Sequence, residues 1–251
     1  MQSFEATTNP ADGPARLAAL RKVMKTEGLA GFLVPRADAH QGEWVAERDE
    51  RLAWLSGFTG SAGFCAALLD RAAVFVDGRY RIQARAQVDT DHFAVVDWPE
   101  TDLGDWLVQT LPAGGIVGFD AWLHTADQIA RLTERLDRHD IVLRQCDNLV
   151  DRIWTDRPPP PRGTITVQEM RYSGEQSADK RARVARTLRA SGQCAAVLTM
   201  PDSIAWLLNI RGTDIAHTPV ALAFAILTDT ARVHLFTDPA KVDAEVSAHL
   251  G

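Results

Sequence analysis

Cysteine is scarce in this chain, with three residues in 251, Cys65, Cys146 and Cys194, far apart and odd in number. No Cys-x-x-Cys pair occurs, which excludes a zinc site of that type. Each cysteine sits beside apolar residues, so buried free thiols are expected, the state of a reducing compartment. A basic excess is also missing. The net charge is −6, whereas a nucleic-acid partner calls for a basic face. The basic residues of Lys180–Arg189 read as the solvated face of one helix. Long apolar runs are absent too: the longest, Ala221–Leu227, is far too short to span a membrane. Met1–Pro10 has neither a basic start nor an apolar core, so it does not read as a signal peptide and a cytoplasmic protein is expected. The remaining composition, 46% hydrophobic and 24% charged, is that of a globular chain long enough for one large domain or two ordinary ones.

The densest pattern lies in Ser56–Tyr80. Gly57, Gly60 and Gly63 interrupt it three times in seven residues, which permits positive φ or close backbone approach. Phe64–Leu69 and Ala72–Val76 are short apolar runs around Asp70-Arg71, a hairpin signal without the favoured turn glycine. Asp77-Gly78-Arg79-Tyr80 then turns a corner into a helix over Arg79–Val88. An arginine at such a corner can face a pocket, where its planar fork suits a carboxylate or a peptide carbonyl. The commoner arrangement is a structural ion pair, here with Asp77 or Asp38. Gly60-Ser61-Ala62-Gly63 resembles a hydrolase elbow only superficially. The first spacing is wrong and a strand follows, so Ser61 is rejected as a nucleophile.

Along the chain, strands and helices alternate. A helix starts at Asp12-Gly13-Pro14, carries Leu17, Leu20 and Met24 on one stripe and stops at Gly28. Gly31–Val34 reads as a buried strand, and His40 lies in the loop after it, where α/β proteins often place ligands. A solvated loop histidine is the plainer reading, since no metal partner stands at a ligand spacing. A short helix with Trp54 inward, strands at Phe93–Val96, Ile116–Phe119 and Ile141–Leu143, and helices over Asp102–Leu111 and after the Thr125–Gln128 capping box complete an α/β sandwich around a mixed sheet. Pro158–Pro161 form a stiff spacer. Domains are therefore expected at 1–157 and 164–251, with 158–163 as linker.

The second part repeats the first after roughly 150–160 residues, too long a period for a solenoid. Ala30–Val34 matches Ala195–Leu198, and Ala53-Trp54-Leu55 matches Ala205-Trp206-Leu207, with Trp206 expected inward. Both glycine turns and both hairpins follow, ending at Asp77 and Asp238, the latter read as the cap of a final helix through Val242 and Val246. Counterparts of the first domain's later strands and helices are missing, so the second domain is expected to be truncated at Gly251.

In combination, Asp38-Ala39-His40-Gln41, Ser56-Gly57-Phe58 with Gly60–Gly63, Asp77–Tyr80, Asn148–Asp151, Ile153–Pro158, Ile204–Leu207, Arg211-Gly212 and Asp214 resemble the N-terminal region of long, three-domain aminopeptidase P, a creatinase-like metallopeptidase. The resemblance implies two tandem creatinase-N-terminal-like, ribonuclease-H-like domains, with the pita-bread catalytic domain absent. It implies removal of an N-terminal residue that precedes proline, by two divalent metal ions, usually manganese, held in the missing domain. This segment would then carry neither catalytic residues nor metal ligands, would shape substrate access, and would help form a homodimer in the full-length protein. The family's Asp-Gly-Arg-Tyr arginine contacts the bound peptide, a role carried to Arg79. His40, Arg211, Asp214 and His217 become candidate pocket-rim residues, with Asp214 and His217 equally able to hold the turn around them. Two other readings stand: a stand-alone creatinase-like module that binds a peptide or protein without hydrolysis, and creatinase itself. Asp77–Tyr80 and the Trp154–Pro158 linker favour the peptidase.

Overall fold

The computed structural model describes residues 7–251; most of the stretch judged for a signal peptide lies outside them. The chain divides into two compact units: one contains residues 7–39 and Glu47–Pro158, the other His40–Ala46 and Pro159–Gly251.

In the first unit, α1 (Gly13–Thr26) leads to β1 (Gly31–Pro35), α2 (Arg51–Ser56) and the antiparallel strands β2 (Phe64–Leu68) and β3 (Ala72–Val76). Then come α3 (Arg81–Gln87), β4 (Ala94–Asp97), α4 (Leu103–Thr110), β5 (Gly115–Phe119), α5 (Ala126–Leu136), β6 (Ile141–Gln145) and α6 (Leu149–Ile153). The sheet order is β4-β3-β2-β1-β5-β6. Only β2 opposes its neighbours, so the other strands all point their C-terminal ends to one edge. Alternation along the strands sends Phe32, Val34, Cys65, Ala67, Val74 and Val76 into one core, and Leu33, Ala66, Leu68, Ala73 and Phe75 into the other. Both faces are thus apolar, as expected of inner strands covered by helices on each side. Each fully buried phenylalanine, such as Phe32 or Phe75, contributes about 2–3 kcal/mol of transfer free energy.

The second unit contains β7 (Thr166–Val167), α7 (Met170–Ser173), α8 (Ser177–Ala190), β8 (Ala195–Leu198), α9 (Pro201–Leu208), β9 (Ile210–Arg211), β10 (Phe224–Thr228), β11 (Val233–Phe236) and α10 (Ala244–Leu250). Its larger sheet runs β11-β10-β8. Phe64 pairs with Phe75 in the first unit and Phe224 with Phe236 in the second, so the repeat extends to strand register.

A cation seated on tryptophan also repeats. Arg16, the fourth residue of α1, lies 4.7 Å from the Trp54 ring and donates to the Trp54 carbonyl at 2.6 Å. Lys180, the fourth residue of α8, lies 4.8 Å from the Trp206 ring and donates to its carbonyl at 2.9 Å. Each cation combines attraction to the ring face with a charge-assisted bond near a helix C-terminus. The expectation that both indoles point inward holds for Trp54, which stacks on Trp154 at 5.2 Å. It fails for Trp206, which is 44% exposed; its ring is covered by side chains of α8 but by nothing like Trp154.

Three further expectations are corrected. Asp238 caps only a 3-10 turn, Pro239–Lys241; α10 is capped by Asp243, which accepts from the Val246 amide at 2.9 Å. His40 follows a first-unit strand in sequence yet packs with the second unit. Cys65 is buried and Cys146 partly so, but Cys194 is exposed, because it precedes β8 at a strand whose outward residues Ala195 and Val197 are themselves exposed. Burial pushes the Cys65 thiol up to about 12. Iodoacetamide at pH 8 is therefore expected to label Cys194 in the native chain and leave Cys65 unmodified; mass spectrometry showing rapid Cys65 labelling without unfolding would contradict this.

Candidate functional site

In open α/β sheets, ligands gather beyond the C-terminal ends of the strands. At that edge of the first unit, β3 ends in Val76 and the chain turns through Asp77 into α3. Asp77 Oδ1 accepts the Arg79 backbone amide at 2.9 Å. The Asp77 carboxylate also accepts from the Arg79 guanidinium, with Nε at 3.2 Å from each oxygen and Nη2 at 2.7 Å from Oδ2. One carboxylate therefore fixes both the turn and the fork, while the Arg79 side chain stays 64% exposed. The guanidinium carbon lies 5.1 Å from the Tyr80 ring centroid, which limits its swing on that side. Tyr80 in turn shares a hydrogen bond of 2.7 Å with Ser61 Oγ.

The glycine turn makes this packing possible. Gly57 takes φ 90 as the C-cap of α2. A Cβ on Gly60 would come within 2.2 Å of the Phe58 ring and 2.8 Å of Tyr80, so any side chain there would displace the wall beside Arg79. Behind the turn, Arg36 donates to the Ser61 carbonyl at 3.0 Å and to Glu50 at 3.1 Å. Burial pushes the Glu50 carboxyl above its ordinary range, against the pull of Arg36. Ser61 is thus engaged by structural groups, in keeping with its rejection as a nucleophile.

The other sequence candidates fall in the second unit. His40 stacks on Phe224 with ring centroids 4.4 Å apart, and its Nδ1–H donates to the Thr199 carbonyl at 2.9 Å. Ala46, at the end of the same segment, packs with Ile215 and Val220. Arg211 donates to the Ile210 carbonyl at 2.8 Å. Asp214 lies wholly inside: its carboxylate accepts from the Gly163 amide at 2.8 Å, and from the Leu222 amide and Lys241 Nζ at 2.6 Å each. His217 is exposed with φ 61, between the bridge partners Ile215 and Thr218. Arg211 therefore ends β9, and Asp214 and His217 lie in the connection from there to β10, with Asp214 organising it from within.

Sequence reasoning missed Lys241 and Trp98. Nothing local marks Lys241 as the partner of a carboxylate 27 residues away. Trp98 follows the end of β4 and is half-exposed, edge-on to Phe64. A tryptophan directly after a strand was the available signal. Among the described residues, no group of three or more His, Cys, Asp and Glu could hold a metal ion. Among the same residues, no helix is long and apolar enough to cross a membrane.

Two family models, both described as the Creatinase/Prolidase N-terminal domain, match residues 16–153 and 156–251. The chain belongs to this family of creatinase and prolidase N-terminal domains. It is 37% identical over 242 residues to Aminopeptidase P2 of Arabidopsis thaliana, covering 94% of this chain and 34% of that protein. It is 36% identical to a probable Xaa-Pro aminopeptidase P of Coccidioides posadasii, covering 99% of this chain and 39% of that protein. The crystal structure of X-prolyl aminopeptidase from Caenorhabditis elegans, a cytosolic enzyme with a di-nuclear active site, superposes with a TM-score of 0.88 at 32% identity. That match covers 94% of this chain and 40% of the nematode enzyme, so the chain spans well under half of the relatives it matches.

Two outcomes test this geometry. The Arg79 hydrogen bond holds the Asp77 carboxyl below its ordinary range. A carboxylate with a depressed folded pKa keeps its partner above the ordinary aspartate value and releases it only as pH falls through the lower, folded value. Arg79 is thus pinned at neutral and mildly acid pH; carboxyl NMR should place the Asp77 titration below 3.8, and Arg79→Ala should raise it. Separately, Asp214→Ala leaves Lys241 buried without its anion, which should cost the second unit about 3–5 kcal/mol in denaturant unfolding followed by Trp206 fluorescence. A loss under about 1 kcal/mol would contradict the buried pair as drawn.

Proposed function

We propose that the chain is the front part of an Xaa-Pro aminopeptidase, and that its first unit presents Arg79 to the peptide being cut. Three findings support this reading. The relatives named for that activity match almost the whole chain at 36–37% identity. The nematode enzyme's fold matches with a TM-score of 0.88. Arg79 is exposed yet held by Asp77 at the strand ends, and this last observation carries the site assignment. A guanidinium already fixed by one carboxylate loses little further freedom on meeting a peptide carbonyl or carboxylate.

In this proposal residues 1–157 and 164–251 act as the two non-catalytic domains, joined by the linker 158–163, and they shape substrate access and oligomerisation. The segment alone hydrolyses nothing. Two divalent ions, manganese as the resemblance implies, belong to the rest of a longer protein, where they would supply an activated water. The substrates are peptides with proline at the second position. The protein is cytoplasmic, and the full-length form is a homodimer. His40, Arg211, Asp214 and His217 are secondary candidates for substrate contact. His40, with its stacked ring and bonded Nδ1, and Asp214, with both oxygens engaged inside, are better placed to shape the second unit than to meet a ligand. The alternative, a stand-alone binding module, has no observation in its favour beyond the exposed Arg79.

The test is hydrolysis of an Xaa-Pro peptide with added manganese by the full-length protein and by the 251-residue chain. Activity confined to the full-length protein is expected, with Arg79→Ala lowering kcat/KM by roughly tenfold or more. An inactive full-length protein that binds peptides would move the assignment to the binding module. Activity in the segment alone would contradict the division of labour.

A further inference from the structure

A long side chain that is free to swing loses that freedom each time it meets a ligand, so an arginine that reads a peptide gains from being held beforehand. Asp77 holds one edge of the Arg79 fork. The second boundary is the Tyr80 ring, 5.1 Å from the guanidinium carbon. Whatever fixes Tyr80 therefore bears on where Arg79 points.

Tyr80 is fixed at two places. Its ring meets Phe58 edge-on, with centroids 5.6 Å apart and planes at 79°. Its hydroxyl shares the 2.7 Å hydrogen bond with Ser61 Oγ. Ser61 itself stands between Gly60 and Gly63, and a turn so rich in glycine has little stiffness of its own. The stiffness comes from Arg36, the residue directly after β1. Its backbone amide donates to the Gly63 carbonyl at 3.1 Å, and its Nη1 donates to the Ser61 carbonyl at 3.0 Å. One residue thus clamps the turn at two carbonyls. The same fork gives Nη2 to Glu50 Oε1 at 3.1 Å. The Arg36 side chain is only 6% exposed, and a guanidinium so enclosed needs an anion beside it. Glu50, the residue preceding α2, supplies that anion. Contacts therefore run from Glu50 through Arg36 and Ser61 to Tyr80 and the face of Arg79, all within the first unit.

We infer that, on the reading of Arg79 as the peptide-contacting group, Arg36 is a positioning residue: through Ser61 and Tyr80 it keeps the Arg79 guanidinium aimed at the peptide. Such positioning serves ground and transition states alike, so its loss raises KM and leaves kcat. It also acts through Arg79, so it has nothing left to act on once Arg79 is removed.

The experiment is steady-state kinetics on an Xaa-Pro peptide, with melting temperatures alongside. The full-length enzyme carries Tyr80→Phe, Arg36→Lys or Arg79→Ala, and Arg79→Ala combined with each of the other two. Tyr80→Phe deletes one hydroxyl and keeps the ring beside Arg79. Arg36→Lys keeps the charge beside Glu50 and loses the planar fork. Each should raise KM about threefold with kcat within about twofold, the scale of one lost ordering contact. Arg79→Ala should raise KM about tenfold, and in that background neither further change should raise it again by more than about 1.5-fold. A further rise of about threefold there would mean that Arg36 and Tyr80 act on the fold and not through Arg79, and would overturn the inference. Unchanged KM in both single variants, with a rise for Arg79→Ala, would overturn it too and leave the Arg79 assignment standing. Unchanged KM for Arg79→Ala would remove that assignment and the inference with it. Should Arg36→Lys fail to fold, Tyr80→Phe decides by the same comparison.

Discussion

The register of β2 against β3 is the constraint on which the first unit depends. Every residue of β3 is buried, and its neighbours alternate between two separate cores. A slip of one residue would exchange those cores and drive Phe75 out of the stack that it forms with Phe64. That register decides where β3 runs out. Asp77 is the first residue past the last buried position, and from there its carboxylate reaches both the backbone and the guanidinium of Arg79. The position of the proposed peptide-contacting group is thus set by hydrophobic burial some residues earlier, and only the last step is electrostatic.

The two units show the same solution executed with different side chains. A cation on the first helix sits over a tryptophan on the second and bonds its carbonyl, once as Arg16 and once as Lys180. Lys180 is enclosed, and it also donates to Asn209 Oδ1 at 2.6 Å. Burial lowers its pKa, yet these acceptors compensate an ammonium removed from water. In the first unit, Asp77 at the end of the hairpin holds an exposed arginine. In the second, Asp238 occupies the matching place, caps a 3-10 turn and also accepts from the exposed Arg162 at 2.9 Å, and the buried anion is Asp214. The repeat therefore preserves the scaffold and the register, and in both units the strand-end aspartate holds an exposed arginine.

Much of the fold was legible in the sequence because it is written in local patterns. The Leu17–Leu20–Met24 stripe, the Thr125–Gln128 capping box and the two hairpins each rest on neighbours within a few residues, and each appears as expected. Errors arose where long-range packing decides. Trp206 is expected inward from the apolar pattern of its own short helix, but burial of an indole depends on what packs over it: Trp54 stacks on Trp154, a residue 100 positions later, whereas Trp206 meets Lys180 and Arg183. His40 was placed with the strand it follows, whereas a stacking partner and a carbonyl far along the chain draw it to the second unit. Of the candidate site, Arg79 and its Asp77 pairing were visible because both sit in one corner motif. The reach of Arg36 to the Ser61 turn was not, since it exists only once β1 and β2 are paired.

The most direct measurement of the central claim is a structure of the full-length protein with an uncleavable Xaa-Pro peptide bound. The account predicts an Arg79 guanidinium nitrogen within about 3 Å of a peptide oxygen, with Asp77 still on the other edge of the fork. A bound peptide at the metal centre, with Arg79 directed into solvent and more than about 6 Å from any peptide atom, would contradict it and return Arg79 to a purely structural role.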